Sequence, residues 1–190
     1  MLVRLINRLK YNSRYLIHAP WDTGITPPEV LKFITNRSPG RALDLGAGSG
    51  TNIITLANAG WDAVGVEYAF LAVASARKKI RHAGVNAKIY LHDVIDLDFL
   101  RGPFDLILDI GCYHSLGLND KKVYNTNLLR LLNKGGTLLM YAFLSEDSSE
   151  KTGISQQDIN NLSNWLKLIS GVKGKERDIR DSIWLEFNNE

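Results

Sequence analysis

One stretch limits the possible folds more than any other. In RALDLGAGSGTNIITLAN (41–58), an apolar run carrying a single acid, Asp44, passes directly into Gly46, Gly48 and Gly50 and then into a helical apolar pattern. The order predicts a short buried strand over 41–45, a tight turn, and a helix over 50–59 that stops at Gly60. The same alternation follows. DAVGVE (62–67) reads as a strand, residues 69–83 as a helix closed by Gly84, and AKIYLHD (87–93) and PFDLILDI (103–110) as strands. A helix over 120–133, stopped by Gly135 and Gly136, precedes the strand TLLMYAF (137–143). Strands joined by helical crossovers pair in parallel, so the fold class is α/β: a doubly wound sheet with helices on both faces.

The two ends of the chain read differently. Ser155 and Asp158 open a short helix, and WLKLIS and SIWLEF are strands joined by a polar connection of ten residues, 172–181. That is too short for a helical crossover, so the pair should be antiparallel at one sheet edge, with Ile183, Leu185 and Phe187 on one face. Upstream, Thr26, Pro27, Pro28 and Glu29 form the signature of a capping box opening a helix over 26–36. Residues 1–20 carry Arg4, Arg8, Lys10 and Arg14 without an acid, and Leu2, Leu5, Ile6 and Leu9 share one helical face. The expected structure is a helix packed over the domain; a membrane-surface helix or a mitochondrial targeting segment is the other reading.

Bulk properties narrow the class. With 190 residues, 45% of them hydrophobic, the expectation is one domain over 1–190: a helical cap over 1–36 and a core over 40–190. The first twenty residues carry +4 of a net charge of +3, and the near-neutral remainder, −1, argues against a nucleic-acid partner. No apolar run is long enough to span a bilayer. Cys112 is the sole cysteine, which excludes an internal disulfide and suits the cytoplasm. His18, His82 and His92 have no metal-ligand spacing, so no metal is expected. Arg77, Lys78, Lys79 and Arg81 read as a solvated face late in a helix, where cations complement the dipole.

In open α/β sheets, ligands bind beyond the carboxyl ends of the strands. Gly46, Gly48 and Gly50 allow backbone to approach a ligand closely there, and the following helix aims free amides at the same space. Dinucleotide sites use G-x-G-x-x-G; here the spacing is G-x-G-x-G, with Asp44 just before it. An acid in that place repels phosphate and attracts a cation, which speaks against a nicotinamide-dependent dehydrogenase. Glu67 ends the second strand, where an acid can accept hydrogen bonds from ribose hydroxyls. Asp93 and Asp109 end the next two. A rim of four acids suits a cationic, ribose-bearing ligand.

These motifs, together with LHDVIDL, FDLILDIGCYHSL and LNKGGTLLMYAF, resemble class I S-adenosylmethionine-dependent methyltransferases over residues 40–145. The resemblance implies a Rossmann-like, seven-stranded, mostly parallel sheet of order 3-2-1-4-5-7-6. It implies S-adenosyl-L-methionine as cofactor and S-adenosyl-L-homocysteine as product. Asp44, Gly46, Ala47, Gly48 and Gly50 would surround the methionine part, Glu67 with Tyr68 the ribose, and Asp93 and Val94 the adenine, with Asp109 also on the cofactor side. PWDTGITPPEV (20–30) is similar to a segment of the thiopurine, tellurite-resistance and halide methyltransferase group. In that group the N-terminal segment closes over the site, which would bring Trp21 and Asp22 near the substrate, although Asp22 can equally bind the backbone of its own turn.

The expected activity is in-line methyl transfer to a small molecule with a soft nucleophile: a thiol, a selenium or tellurium species, or a halide. The alternatives are a quinone-type, RNA or protein acceptor, or a non-catalytic S-adenosylmethionine-binding module. His114 is the candidate general base, since imidazole titrates near neutrality, with Cys112 and Tyr113 near the substrate. Cys112 itself reads as a small buried filler. A monomer or weak dimer is expected.

Overall fold

The computed structural model describes residues 2–17, 19–145 and 152–190, with side chains from Arg8 onward; His18 lies outside these residues. In chain order the elements are α1 (Leu2–Ile17), α2 (Pro28–Thr35), β1 (Arg41–Leu45), α3 (Thr51–Asn58), β2 (Asp62–Glu67), α4 (Phe70–Ala83) and β3 (Ala87–Leu91). There follow β4 (Phe104–Ile110), a 3-10 turn (Tyr113–Ser115), α5 (Leu118–Leu131), β5 (Leu132–Phe143), α6 (Gln156–Ser163), β6 (Lys167–Glu176) and β7 (Arg180–Asn188). The seven strands form one sheet of order β3-β2-β1-β4-β5-β7-β6, as the resemblance implied. β1–β2, β2–β3 and β4–β5 pair in parallel, whereas β7 runs antiparallel to both β5 and β6. Contacts divide the chain into two compact units, Met1–Val94 and Ile95–Glu190.

In the first unit, β1 is buried on both faces: Ala42, Leu43, Asp44 and Leu45 are all inaccessible to solvent. This explains why RALDL is an apolar run rather than an alternating one. Two glycines let the neighbouring elements close on each other. A Cβ on Gly65 of β2 would stand 2.9 Å from the Cβ of Ala47, and one on Gly50 (φ +85°) would stand 2.8 Å from that of Ala76 in α4. α4 ends at Gly84 in the left-handed conformation, as its sequence predicts.

Two N-terminal expectations change. Thr26 does not cap α2. The helix starts at Pro28 with Pro27 as its N-cap, no side chain caps it, and the Thr26 hydroxyl pairs with that of Thr55 at 2.7 Å. α1 does pack on the unit, but not through the face containing Leu9, which is 61% exposed. Its inward residues are Arg8, Tyr11, Asn12 and Tyr15. Buried Asn12 accepts the backbone N–H of Leu71 at 3.1 Å and donates to the Arg8 carbonyl. The physical reason is the docking target: the first turn of α4 presents unpaired amides, which need an acceptor rather than hydrocarbon.

In the second unit the core is built from Phe104, Leu106, Ile107 and Leu108 of β4, Leu138 and Met140 of β5, and Leu185 and Phe187 of β7. β5 begins at Leu132, directly after α5, rather than beyond the glycines; Gly135 (φ +74°) bends it there. The polar connection before β7 is also shorter than its composition suggests. β6 runs to Glu176, and the turn is made at Arg177 and Asp178, both with positive φ. β6 is the outermost strand and its residues are exposed up to Lys175, so a lysine-rich sequence such as VKGKE remains compatible with pairing. Ser155 and Asp158 open α6 as expected, and do so as a capping box.

Candidate active site

The glycine turn of the first unit is held by the end of β2. Gly46 and Ala47 donate their amides to the Val66 carbonyl at 2.9 and 3.1 Å, and Gly50 closes the turn onto Ala47. Gly46, Gly48 and Gly50 all have positive φ, which is why glycine alternates here. The carboxylate of Glu67 braces this turn from the next strand. One oxygen accepts Gly48 N–H at 3.1 Å, the other Ala69 N–H at 2.7 Å. Burial pushes the Glu67 carboxyl above its ordinary range, against the pull of those amide hydrogen bonds. Asp44 is buried beneath the turn and Val94 is buried beyond β3, while Asp93 and Tyr68 are half-buried.

Around this turn the N-terminal segment contributes aromatic rings and a polar chain. The Trp21 indole N–H donates to the Tyr15 hydroxyl at 3.2 Å. The Tyr11 ring lies edge-on to Trp21 and to Tyr68, with centroids 5.8 and 5.6 Å apart. Tyr15 reaches the glycine turn itself: a Cβ on Gly48 would sit 3.0 Å from its hydroxyl oxygen. Burial, and after it the charge of Glu67, raises the Tyr15 phenol above its ordinary value. Asp22 accepts the Ser49 hydroxyl at 2.7 Å rather than binding its own turn, and Lys79 donates to the same hydroxyl. Lys79 is therefore not part of a purely solvated face. Tyr11, Tyr15 and Ser49 were not singled out from the sequence. The available signal was the i, i+4 spacing of the tyrosines directly before PWD.

At the carboxyl end of β4, in the second unit, the picture differs from the sequence expectation. Asp109 was placed among the cofactor-facing acids, but its carboxylate is fully buried and both oxygens are engaged. It accepts the amides of Cys112 (2.9 Å) and Tyr113 (3.0 Å) and the Tyr124 hydroxyl (2.5 Å), so it holds the 3-10 turn in place. Burial pushes its carboxyl up to about 7 in spite of those donors. Tyr113, expected near the substrate, is also fully buried, edge-on to Tyr124 and beneath the Lys121 ammonium. Cys112 is half-buried rather than a core filler.

His114 does not have the geometry of a general base. Its Nδ1 accepts the Phe143 amide at 3.1 Å, its ring stacks on Phe143 at 4.5 Å, and burial lowers its pKa to about 4. The proton of the neutral ring therefore sits on Nε2. Near it lies a pair invisible in the sequence: buried Lys121 donates to Asp158 at 2.8 Å and to the Gly153 carbonyl at 2.9 Å. Among the described residues, no cluster of His, Cys, Asp or Glu side chains is arranged to hold a metal ion, and no helix is long and apolar enough to cross a membrane.

A parallel sheet closed by an antiparallel final pair, with an acid-backed glycine turn at its first strand end, defines the methyltransferase architecture. Residues 42–136 match the methyltransferase domain model, and the chain belongs to that family. It is 28% identical over 126 residues to the 2-heptyl-1-hydroxyquinolin-4(1H)-one methyltransferase of Mycobacteroides abscessus, covering 65% of this chain and 56% of that one. It is 27% identical over 136 residues to probable thiol methyltransferase 2 of Arabidopsis thaliana, covering 68% and 59%. The chain thus spans little more than half the length of these two relatives. The N-methyltransferase NodS of Bradyrhizobium japonicum, solved with S-adenosyl-L-homocysteine, superposes with a TM-score of 0.80 at 18% identity over 96% of this chain and 98% of that one. At that identity the likeness concerns the fold.

Proposed function

We propose that this chain is an S-adenosylmethionine-dependent methyltransferase of a small acceptor that attacks as a soft anion: a thiolate, a selenium or tellurium species, or a halide. The observation that carries the cofactor assignment is the Glu67 carboxylate set against the Gly48 amide, with Asp44 buried beneath the same turn. The donor set fits a cationic nucleoside. The turn offers closely approachable backbone, and carboxylates rather than a phosphate cradle stand beside it. Gly46, Ala47, Gly48 and Gly50 would hold the methionine part, Glu67 and Tyr68 the ribose, and Asp93 and Val94 the adenine. The bound cofactor supplies an electrophilic methyl group on a sulfonium.

The chain's own residues then have to orient and desolvate the acceptor. Tyr15 and Trp21, linked by their hydrogen bond, wall the glycine turn, and the Asp22–Ser49–Lys79 chain fastens the Trp-Asp segment to it. Proton handling supports this acceptor class. His114 and Asp109 are both committed to internal hydrogen bonds, and an acceptor that arrives already ionised needs no base. The thiol methyltransferase relative is in keeping with this choice, and the single cysteine with action in the reducing cytoplasm.

The test is to incubate the purified chain with methyl-labelled cofactor and thiols, halides, selenite, tellurite, a hydroxyquinolone and amines. Label in the thiol or in volatile products supports the reading. Transfer confined to the hydroxyquinolone or the amines overturns the soft-acceptor class. Absence of cofactor binding in calorimetry overturns the whole assignment.

A further inference from the structure

α1 turns the wrong side of itself to the protein. Its inward row, Arg8, Tyr11, Asn12 and Tyr15, is aromatic and polar, and is fixed by the Asn12–Leu71 and Trp21–Tyr15 hydrogen bonds. Among the described side chains of α1, the aliphatic ones face solvent instead: Leu9 is 61% exposed, Leu16 73% and Ile17 90%. Leu9, Ser13 and Leu16 follow one another at four- and three-residue spacing, so they form one row along the helix. By sequence spacing, Leu2, Leu5 and Ile6 fall in line with it. Lys10, Arg14 and Ile17 form the adjacent row by the same spacing, and both cations are exposed. The helix contains no acid.

Aliphatic groups left in water lose roughly 25 cal/mol for every Å² that a partner could cover, so a row of them on a helix held by polar contacts needs an occupant. The charge decides which one. We infer that the outer face of α1 lies on an anionic lipid bilayer, with Leu9, Leu16 and Ile17 in the acyl boundary and Lys10 and Arg14 at the headgroups. An apolar row flanked by cations, without acids, is the pattern of a helix lying in the interface plane. A second copy of the chain fits less well, because apposed α1 helices would bring cations against cations. The inference is independent of the acceptor class, since it rests on the face of α1 directed away from the glycine turn.

The experiment is co-sedimentation of the full chain with vesicles of phosphatidylcholine, with and without added phosphatidylglycerol. The expected result is partitioning onto the anionic vesicles that weakens as salt is raised. Leu16→Gln/Ile17→Gln should lower it about tenfold with an unchanged circular dichroism spectrum. Lys10→Gln/Arg14→Gln should remove the preference for the anionic composition. A wild-type chain that stays in the supernatant with anionic vesicles overturns the inference, as do variants that sediment like the wild type. So does a concentration-dependent dimer that the Leu16/Ile17 variant dissociates without any vesicle binding.

Discussion

The carboxylate of Glu67 accepts the backbone N–H of Gly48 at 3.1 Å, tying the last residue of β2 to the middle of the glycine turn. Its other oxygen holds the Ala69 amide at the entry to α4. Removing the carboxylate leaves two amides without their acceptor. Glu67→Ala should therefore lower folding stability by about 1–3 kcal/mol. Calorimetry should also show S-adenosyl-L-homocysteine binding weakened by about tenfold or more, the scale of a lost hydrogen bond to a charged group. Wild-type affinity in this variant would remove Glu67 from the site.

Gly65 tests the turn from below without touching a ligand group. A side chain at this position meets Ala47 at 2.9 Å and Ile53 at 3.3 Å, so Gly65→Val has to push the glycine turn off β2. Overpacking of this kind costs about 1–3 kcal/mol, read from the urea midpoint, and cofactor affinity should fall with it. A variant as stable as the wild type, with normal cofactor affinity, would show that the turn does not depend on this contact.

The buried Lys121–Asp158 pair should behave as a locked charge rather than a surface ion pair. Both side chains are almost fully buried, and Asp158 also completes the α6 capping box with Ser155. Lys121→Met leaves the carboxylate without its counter-ion, for an expected loss of about 3–5 kcal/mol in urea unfolding. Lys121→Met/Asp158→Asn, which removes both charges and keeps a side chain that can accept at the cap, should recover part of that loss. A double variant no better than the single one would place the effect in packing alone.

Much of this arrangement was legible in the sequence, and what was not has identifiable causes. Most strands were readable because buried parallel strands leave unbroken apolar runs, and Gly60 and Gly84 marked the ends of α3 and α4; the strand order came from the family resemblance. The glycine turn and Glu67 were readable because positive φ and a strand-end acid leave local signatures. Side-chain partners across distance leave none. Asp109 looks like any other strand-end acid until Tyr124, fifteen positions away, takes one of its oxygens. Thr26 satisfies the local rule for a cap, yet Thr55 claims its hydroxyl. α1 was readable as amphipathic, but its inward face depends on the amides of α4, which the pattern of α1 cannot reveal.

His114 and Asp109 impose opposite pH dependences on the same unit, and separating them tests both placements. Burial holds the folded-state pKa of His114 at about 4, below the 6.5 of a free imidazole. Between those values the unfolded chain binds a proton that the folded chain does not, so this contribution is present above about pH 6.5 and is lost as pH falls towards 4. Asp109 is raised to about 7 from 3.8. Its folded form keeps a proton that the unfolded form releases, so its contribution is present below about pH 4 and is lost as pH rises towards 7. Over most of that window the two slopes oppose each other, and the wild type should show a shallow stability profile. Asp109→Asn can still accept the two amides through its carbonyl oxygen and removes the opposing slope, so stability relative to the wild type should rise by about 3 kcal/mol from pH 4 to 6.5. His114→Phe should do the reverse, with stability relative to the wild type falling over the same range. Urea unfolding across a pH series reads both slopes. If the two variants gave parallel profiles, neither group would be held in the protonation state that its burial imposes.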